Sequence, residues 1–361
     1  MSEKIKGGLK LNLSAKTKRI LKNTLITLCF PLAMYLVMEI IVVLNSMGAD
    51  ETVHLIANYM DVKDIIRETT NACLIAYALS FNLTCGRMDL SLGAQRLVGV
   101  IVGGNIALSL GLSGIWLVLF ALVFGFIFGA ITGLLFVLTR VPAMVLGVGI
   151  GLVYECVAFL TTDGQGLMLY GVEGVEILIN EWFSLAVILV IGAIVMILLG
   201  YTSYGYHLRA IQGSQRIAKS SGINVFVNAI LSYAFAGGAT CVSGMLASHA
   251  GMKVATGFTS NGPVMANMFP MFLGMYISRW SNQTIGILVA SLTLRFFTLG
   301  LSKLQLNDAK QSVVTMFLFL ALLIYLANEN IFKVRRFEKA RVAEANAKKA
   351  EMAAAAAPIE A

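Results

Sequence analysis

The sequence predicts an all-α polytopic membrane protein with about ten transmembrane helices, and three observations carry that prediction. First, 58% of its 361 residues are apolar and only 13% are charged, with a mean hydropathy of +0.82; a soluble domain carries about 25% charged residues. Second, the charge is localised, with seven Lys/Arg before residue 23 and seven after residue 332. Third, apolar runs of roughly 20 residues, the length that crosses a bilayer, recur through everything between. So little charge cannot cover the surface of a soluble enzyme, and that class is excluded.

Taken in order, residues 1–22 form a basic arm expected in the cytoplasm, 23–332 the transmembrane domain, and 333–361 a basic, Ala-rich cytoplasmic tail. The tail reads as a fraying helix at the inner membrane surface. Spans are expected at 23–45, 66–85, 92–110, 114–138, 142–161, 183–201, 225–247, 263–278, 284–302 and 311–331. The first is longer than a signal-peptide core and is followed by no small-residue cleavage site, so it reads as uncleaved. The eighth, with Pro263 and Pro270, is the weakest and reads as broken or short.

Orientation follows from Lys and Arg. With both termini inside, the cytoplasmic side collects twenty-one, Arg87 and Arg96 among them, and the other side five. The net charge of +8 therefore reports topology rather than a nucleic-acid surface, and no nucleic acid is expected as a partner. Ten spans with both ends on one side permit an inverted repeat of spans 2–5 and 7–10. Its sequence trace is slight: Asn71-Ala72-Cys73-Leu74 against Asn228-Ala229-Ile230-Leu231, then Thr84-Cys85 against Thr240-Cys241.

Inside the spans, Gly125, Gly129 and Gly133 recur every four residues, as do Gly99 and Gly103, and Gly147 and Gly151. That spacing lets helix backbones approach closely. Charge is rarer. Glu155 and Arg295 fall at similar depth, so a Glu155–Arg295 pair is expected, with solitary exposure to water as the alternative. The amides Asn71, Asn82 and Asn105 are candidates to line a path or to join helices. Cys29, Cys73, Cys85, Cys156 and Cys241 show no metal or disulfide spacing, and His54, His207 and His249 are scattered. Neither HExxH nor GxSxG occurs, so the chain is expected to be no enzyme, to hold no metal and to bind no cofactor itself. Gly213–Ser220 resembles a P-loop but follows a span rather than a strand, so ATP binding there is not expected.

The longest internal cytoplasmic loop, Tyr204–Ile223, carries Arg209, Arg216 and Lys219 around small and apolar residues. A short helix there, with Ile217 and Ala218 on one face and bases on the other, would suit docking to a cytoplasmic partner that supplies energy.

Three stretches carry a family resemblance. Cys85-Gly86-Arg87-Met88-Asp89-Leu90-Ser91-Leu92-Gly93 looks like GGIDLSVG, and Arg140-Val141-Pro142-Ala143-Met144-Val145-Leu146-Gly147 is similar to KVPAFIVTLG. The loop resembles GRxxxAIGxNxxAARxSGI at Gly205, Ala210, Ile211, Ala218, Ser221, Gly222 and Ile223. Together they resemble the permease subunit of bacterial ribose and simple-sugar ABC importers, in the group that includes branched-chain amino acid permeases. The resemblance implies an inner-membrane protein that pairs with a second permease subunit, identical or not. It also implies two cytoplasmic ATPase domains, which would hold ATP and Mg, and an external solute-binding protein. The ATPase-coupling loop would comprise Gly205, Arg209, Ala210, Ile211, Gly213, Arg216, Ile217, Ala218, Ser221 and Gly222. The path would comprise Asn71, Asn82, Asp89, Ser91, Asn105 and Pro142, although Asp89 also reads as a helix cap and Pro142 as a first-turn proline.

The sequence departs from the family at Phe272–Ser281, where GGTSxxGGxG is usual, and at Asn261–Asn267, where an ELDAIAA-like entry is usual. The expected function is passage of a small polar solute, a monosaccharide or nucleoside. An ion-coupled secondary transporter, which the scarcity of membrane carboxylates disfavours, and a non-catalytic or intramembrane scaffold subunit are the rival classes.

Overall fold

A computed structural model describes residues 2–46, 53–307 and 309–329, together with 338 and 341. The chain divides into two units, Met1–Leu304 and Gln305–Ala361. The first holds helices α1 (Ser2–Ser46), α2 (Tyr59–Leu83), α3 (Leu92–Ser109), α4 (Ile115–Thr139), α5 (Ala143–Leu160), α6 (Glu176–Ile179) and α7 (Glu181–Tyr201). It continues with α8 (Ser203–Gly213), α9 (Gln215–Ser220), α10 (Val225–Ala247), a 3-10 turn at Thr259–Asn261, α11 (Gly262–Ala266), α12 (Met268–Ile277) and α13 (Gln283–Lys303). Two-residue strands β1 (Leu167–Met168) and β2 (Gly251–Met252) pair antiparallel, with Leu167 opposite Met252. The second unit contains helix α14 (Ala309–Glu329). The expected tail at 333–361 lies outside the described residues, except for Glu338 and Arg341.

Among the described residues, eight helices are long and apolar enough to cross a membrane: the Asn23–Ser46 part of α1, then α3, α4, α5, α7, α10, α13 and α14. With α2 and the short α12 they occupy the ten stretches singled out above. The weak eighth stretch is indeed interrupted, α11 ending and α12 beginning around Asn267. Helix α2 starts earlier than residue 66 because its polar first half finds partners. The Asp61 carboxylate accepts the backbone N–H groups of Ala57 (3.0 Å) and Asn58 (3.1 Å) and pairs with Lys303 at 2.8 Å.

At the centre of this unit α10 packs on α4, α2 and α3. The glycine spacing explains the α4 side. A Cβ on Gly125 would lie 2.6 Å from the Gly237 carbonyl oxygen, and one on Gly133 would lie 2.8 Å from Ile230 Cα. The two backbones are in contact, and only glycine permits it. On the far side of α4, Leu119, Val123, Ile127 and Ile131 are exposed, as a lipid-facing stripe should be.

Helix α3 begins deep within the fold. The Cys241 thiol donates to the Gln95 carbonyl at 3.2 Å, and Cys241 lies about 24 Å along α10 from its first residue. By contrast Cys85, at the end of α2, sits beside Leu208 of α8. Residues 86–91 therefore climb from the α8 end into the interior without helical structure. From the opposite end, the segment after β2 descends to meet them. The Glu155 carboxylate accepts N–H groups from Phe258 (2.8 Å) and Ser260 (3.1 Å), and Asn261 accepts from Gly93 N–H at 2.9 Å while donating to the Leu90 carbonyl. Irregular backbone is tolerated at such depth only where protein groups satisfy it, and these side chains do so.

Three expectations need correction. Arg87 and Arg96 are not loop cations: they are only 5% and 8% exposed, one within the climbing segment and the other inside α3. Glu155 does not pair with Arg295, because its oxygens are taken by the descending segment. Nor are Asn71 and Asn228 equivalent: Asn71 is midway along α2, Asn228 in the first turn of α10. Yet α2 and α10 do run antiparallel, and each is followed by a non-helical segment that enters the interior.

Candidate functional site

At one end of the molecule α8 and α9 form a bent two-helix element. Thr202 caps α8, its hydroxyl accepting Gly205 N–H, and Ser214 caps α9 by accepting Ile217 N–H. Between them Ser214 is extended, which turns the chain. Gly205 is required by close approach, since a Cβ there would lie 2.6 Å from the Leu199 carbonyl carbon of α7. The inward face buries Leu208, Ile211 and Ala218 against Cys85, with Tyr204 and Ile223 alongside. Tyr204 couples this element to the membrane core. Its hydroxyl is 2.8 Å from that of Ser232 on α10, and its ring packs on Phe81 of α2 and Phe235 of α10, with centroids at 6.5 and 5.5 Å.

The outward face carries Tyr206, Arg209, Ala210, Gly213, Arg216 and Ile217, all exposed. The Arg209 guanidinium lies 4.8 Å from the Tyr206 ring centroid and donates to the Gly205 carbonyl, which fixes its position. Ile217 is 67% exposed while Ala218 is 2% exposed, so the expected shared apolar face is corrected: Ala218 is turned inward and Ile217 to the outside. Ser221 closes α9 by donating its hydroxyl to the Ile217 carbonyl at 2.9 Å, and Gly222, with φ +82°, lets the chain turn into α10. A groove of about 550 Å³ runs along this element past Gln215, Arg216, Lys219 and Asn224.

The interior contains a second group of expected residues. The Asp89 carboxylate accepts from Ser91 N–H (2.8 Å), the Ser91 hydroxyl (2.6 Å) and Gln95 Nε2 (3.2 Å). Gln95 Nε2 also reaches Thr132, whose hydroxyl is 3.0 Å from that of Tyr154. Asp89 and Ser91 thus hold the start of α3. Asn105 donates to the Ile101 and Gly166 carbonyls and fastens α3 to the β1 loop. Pro142 is an exposed residue that caps α5.

On α2, Asn82 is buried and Asn71 half-buried. Asn71 accepts from the Ser243 hydroxyl of α10. Asn82 is 1% exposed, and neither atom of its amide has a hydrogen-bond partner among the described residues. The same holds for Arg87 Nη1, Asn228 Oδ1, Tyr233 Oη and Gln95 Oε1, among other buried groups. The Arg87 guanidinium lies over the Phe136 ring at 5.9 Å, and Phe136 packs on Tyr233 at 5.5 Å, so these groups are neighbours. Higher up, Arg96 Nε and Arg295 Nε are also buried without partners. Buried polar atoms left open by protein are sites for water or solute. Of these, only Asn82 and Arg295 were read from the sequence as interior polar groups; Arg87 and Arg96 were read as loop cations, and the rest sit in helices whose composition gives no hint of which face is wet. Among the described residues, no group of three or more His, Cys, Asp or Glu side chains is arranged to hold a metal ion.

No curated protein matches the chain closely enough to count as a relative. A family model described as branched-chain amino acid transport system / permease component matches residues 65–326, from within α2 to within α14. That span takes in the climbing segment, the α8–α9 element and the descending segment, and it covers most of the sequence. This protein therefore belongs to that permease family: it is a multi-pass membrane subunit of an ABC transporter, a transport component and not an enzyme.

Proposed function

We propose that this subunit forms the solute path of an ATP-driven importer in a bacterial inner membrane, with both termini in the cytoplasm. The solute is a small polar molecule of the monosaccharide or nucleoside kind, delivered by an external binding protein. A second permease subunit completes the membrane domain, and two cytoplasmic ATPase domains, which hold the ATP and Mg, drive it. The chain itself binds no cofactor.

One observation carries the reading: the α8–α9 element is anchored inward through Leu208, Ile211, Ala218 and Tyr204 and presents Ile217 and three basic residues outward. An exposed Ile at the tip of a basic, cap-fixed helix pair suits a groove on a partner. Because Tyr204 touches both α2 and α10, a push on the pair would reach the two helices that carry the open polar groups. Scarce membrane carboxylates favour this reading over an ion-coupled carrier.

The test is Ile217→Asp in the complex purified with its ATPase. Uptake should fall at least tenfold with an unchanged melting temperature, because the residue makes no inward contact. Unimpaired uptake by this variant would refute the coupling role.

A further inference from the structure

We propose that the groove between α9 and the start of α10 binds the headgroup phosphate of an anionic phospholipid from the cytoplasmic leaflet. This site lies beyond the importer reading and takes from it only that the α8–α9 end faces the cytoplasm.

The first observation is the charge of the groove. Its volume of about 550 Å³ falls within the roughly 300–1,000 Å³ of small-molecule sites, and Gln215, Arg216, Lys219 and Asn224 line it. Arg216 and Lys219, three residues apart, share a face of α9, and both are exposed. Neither is in an ion pair among the described residues. The sequence holds no Asp or Glu between Asp89 and Glu155, or between Glu181 and Asp308, so the turns after α4 and α7 bring no carboxylate to balance them. Asp89 itself, in the turn after α2, is 3% exposed and held by Ser91 and Gln95. Arg140, exposed at the end of α4, adds a cation at the same level. Gly133 of α4 lies against Ile230 of α10, and Arg140 is as far beyond the one as Ile223 is before the other. A positive groove without an acid of its own fits an anion.

The second observation is depth. The groove lies at the membrane edge, because the apolar span of α10 begins at Val225, which lines it. Phe226 lines it too and is exposed, and exposed Val227 and Leu231 continue that apolar surface along α10 into the hydrocarbon. A free anion would use the cations and leave this wall idle. A phospholipid uses both, with its phosphate on Arg216 and Lys219 and an acyl chain along Phe226, Val227 and Leu231. Asn224 caps α10, its Oδ1 accepting the N–H groups of Phe226 and Val227 at 3.1 Å, which leaves its amide N–H groups for phosphate oxygens. Ile217 is outside the lining of the groove, so a lipid seated there leaves the coupling contact free.

The experiment places the full-length chain, alone and in complex with its ATPase, in phosphatidylcholine nanodiscs. These carry a trace of photoactivatable phosphatidylglycerol or, in parallel, of photoactivatable phosphatidylcholine, and the labelled peptides are identified by mass spectrometry. Phosphatidylglycerol should label residues 215–231 roughly tenfold more than phosphatidylcholine, the order expected of two surface cations, and the preference should shrink at high salt. Excess unlabelled phosphatidylglycerol should remove the signal, and inorganic phosphate should not. Arg216→Gln combined with Lys219→Gln, both at exposed positions, should bring the two lipids to equal labelling with an unchanged melting temperature, and Arg216→Lys should keep most of the preference. Equal labelling of the unaltered chain by both lipids, competition by inorganic phosphate, or a preference that survives the double variant would overturn the proposal. So would labelling that vanishes in the complex, since the ATPase and not lipid would then fill the groove. Absence of any co-purifying ATPase, by contrast, overturns the importer reading and leaves the lipid site to be decided by the chain alone.

Discussion

Helix α10 has two unlike flanks. Toward α4 it meets glycine after glycine: Gly125, Gly129 and Gly133 press on the backbone at Gly237, Tyr233 and Ile230, with the Cys241 side chain and the Phe126 ring fitted beside them. Toward α2 and α3 it meets amides, hydroxyls and the buried Arg96 guanidinium, several of these groups having no hydrogen-bond partner among the described residues. The first flank is a dry seam held by dispersion, and the second, also well buried, is the wet one, its open polar atoms being places for water. A protein that must keep its fold while opening a passage needs both. The comparison sets a close-packed α4–α10 side against an α2 side that carries the open polar groups.

The largest test falls on the dry seam. Gly129→Leu drives a side chain into the backbone around Ala234, whose Cα would lie 3.0 Å from the new Cβ. Overpacking of that kind should destabilise by about 3 kcal/mol and abolish monodisperse protein on fluorescence gel filtration. Next is the pin between the two non-helical segments. Glu155→Gln replaces a carboxylate that accepts two backbone N–H groups with an amide that has one acceptor oxygen, and should cost about 1–3 kcal/mol in detergent melts.

On the wet side the sign should reverse. Asn82→Leu removes an amide with no protein partner, so stability should rise by about 1 kcal/mol while uptake falls. A destabilised Asn82→Leu would mean that the α2 flank is packed like the α4 flank, and the comparison would fail. The smallest effect belongs to Asp61→Asn, which loses a partly exposed pair with Lys303 and should cost under about 1 kcal/mol, further reduced at high salt.

The spans were legible because length and hydropathy are local properties: the helices begin and end close to where the apolar runs do. The broken eighth stretch was legible from its prolines. The α8–α9 element was found as a loop, but the orientation of Ile217 was not, because a six-residue helix gives too little periodicity to fix its face. Arg87 and Arg96 were misplaced for a physical reason. Positive-inside counting assumes that the turn between two spans lies at the membrane surface, and here residues 86–91 rise into the interior. Glu155 was recognised as an interior acid, but equal depth suggested Arg295 as its partner. Its actual partners are backbone N–H groups of a segment that enters from the other side, which no spacing in the sequence reveals.

The most direct test of the account places a photo-crosslinking amino acid at position 217 in the intact complex and follows both adduct formation and ATP-dependent uptake. The account predicts a covalent adduct to the ATPase subunit and, before illumination, uptake that stops when ATP is withheld. An assembled complex in which position 217 links only to lipid or to the second permease subunit, or in which uptake continues without ATP, would contradict it.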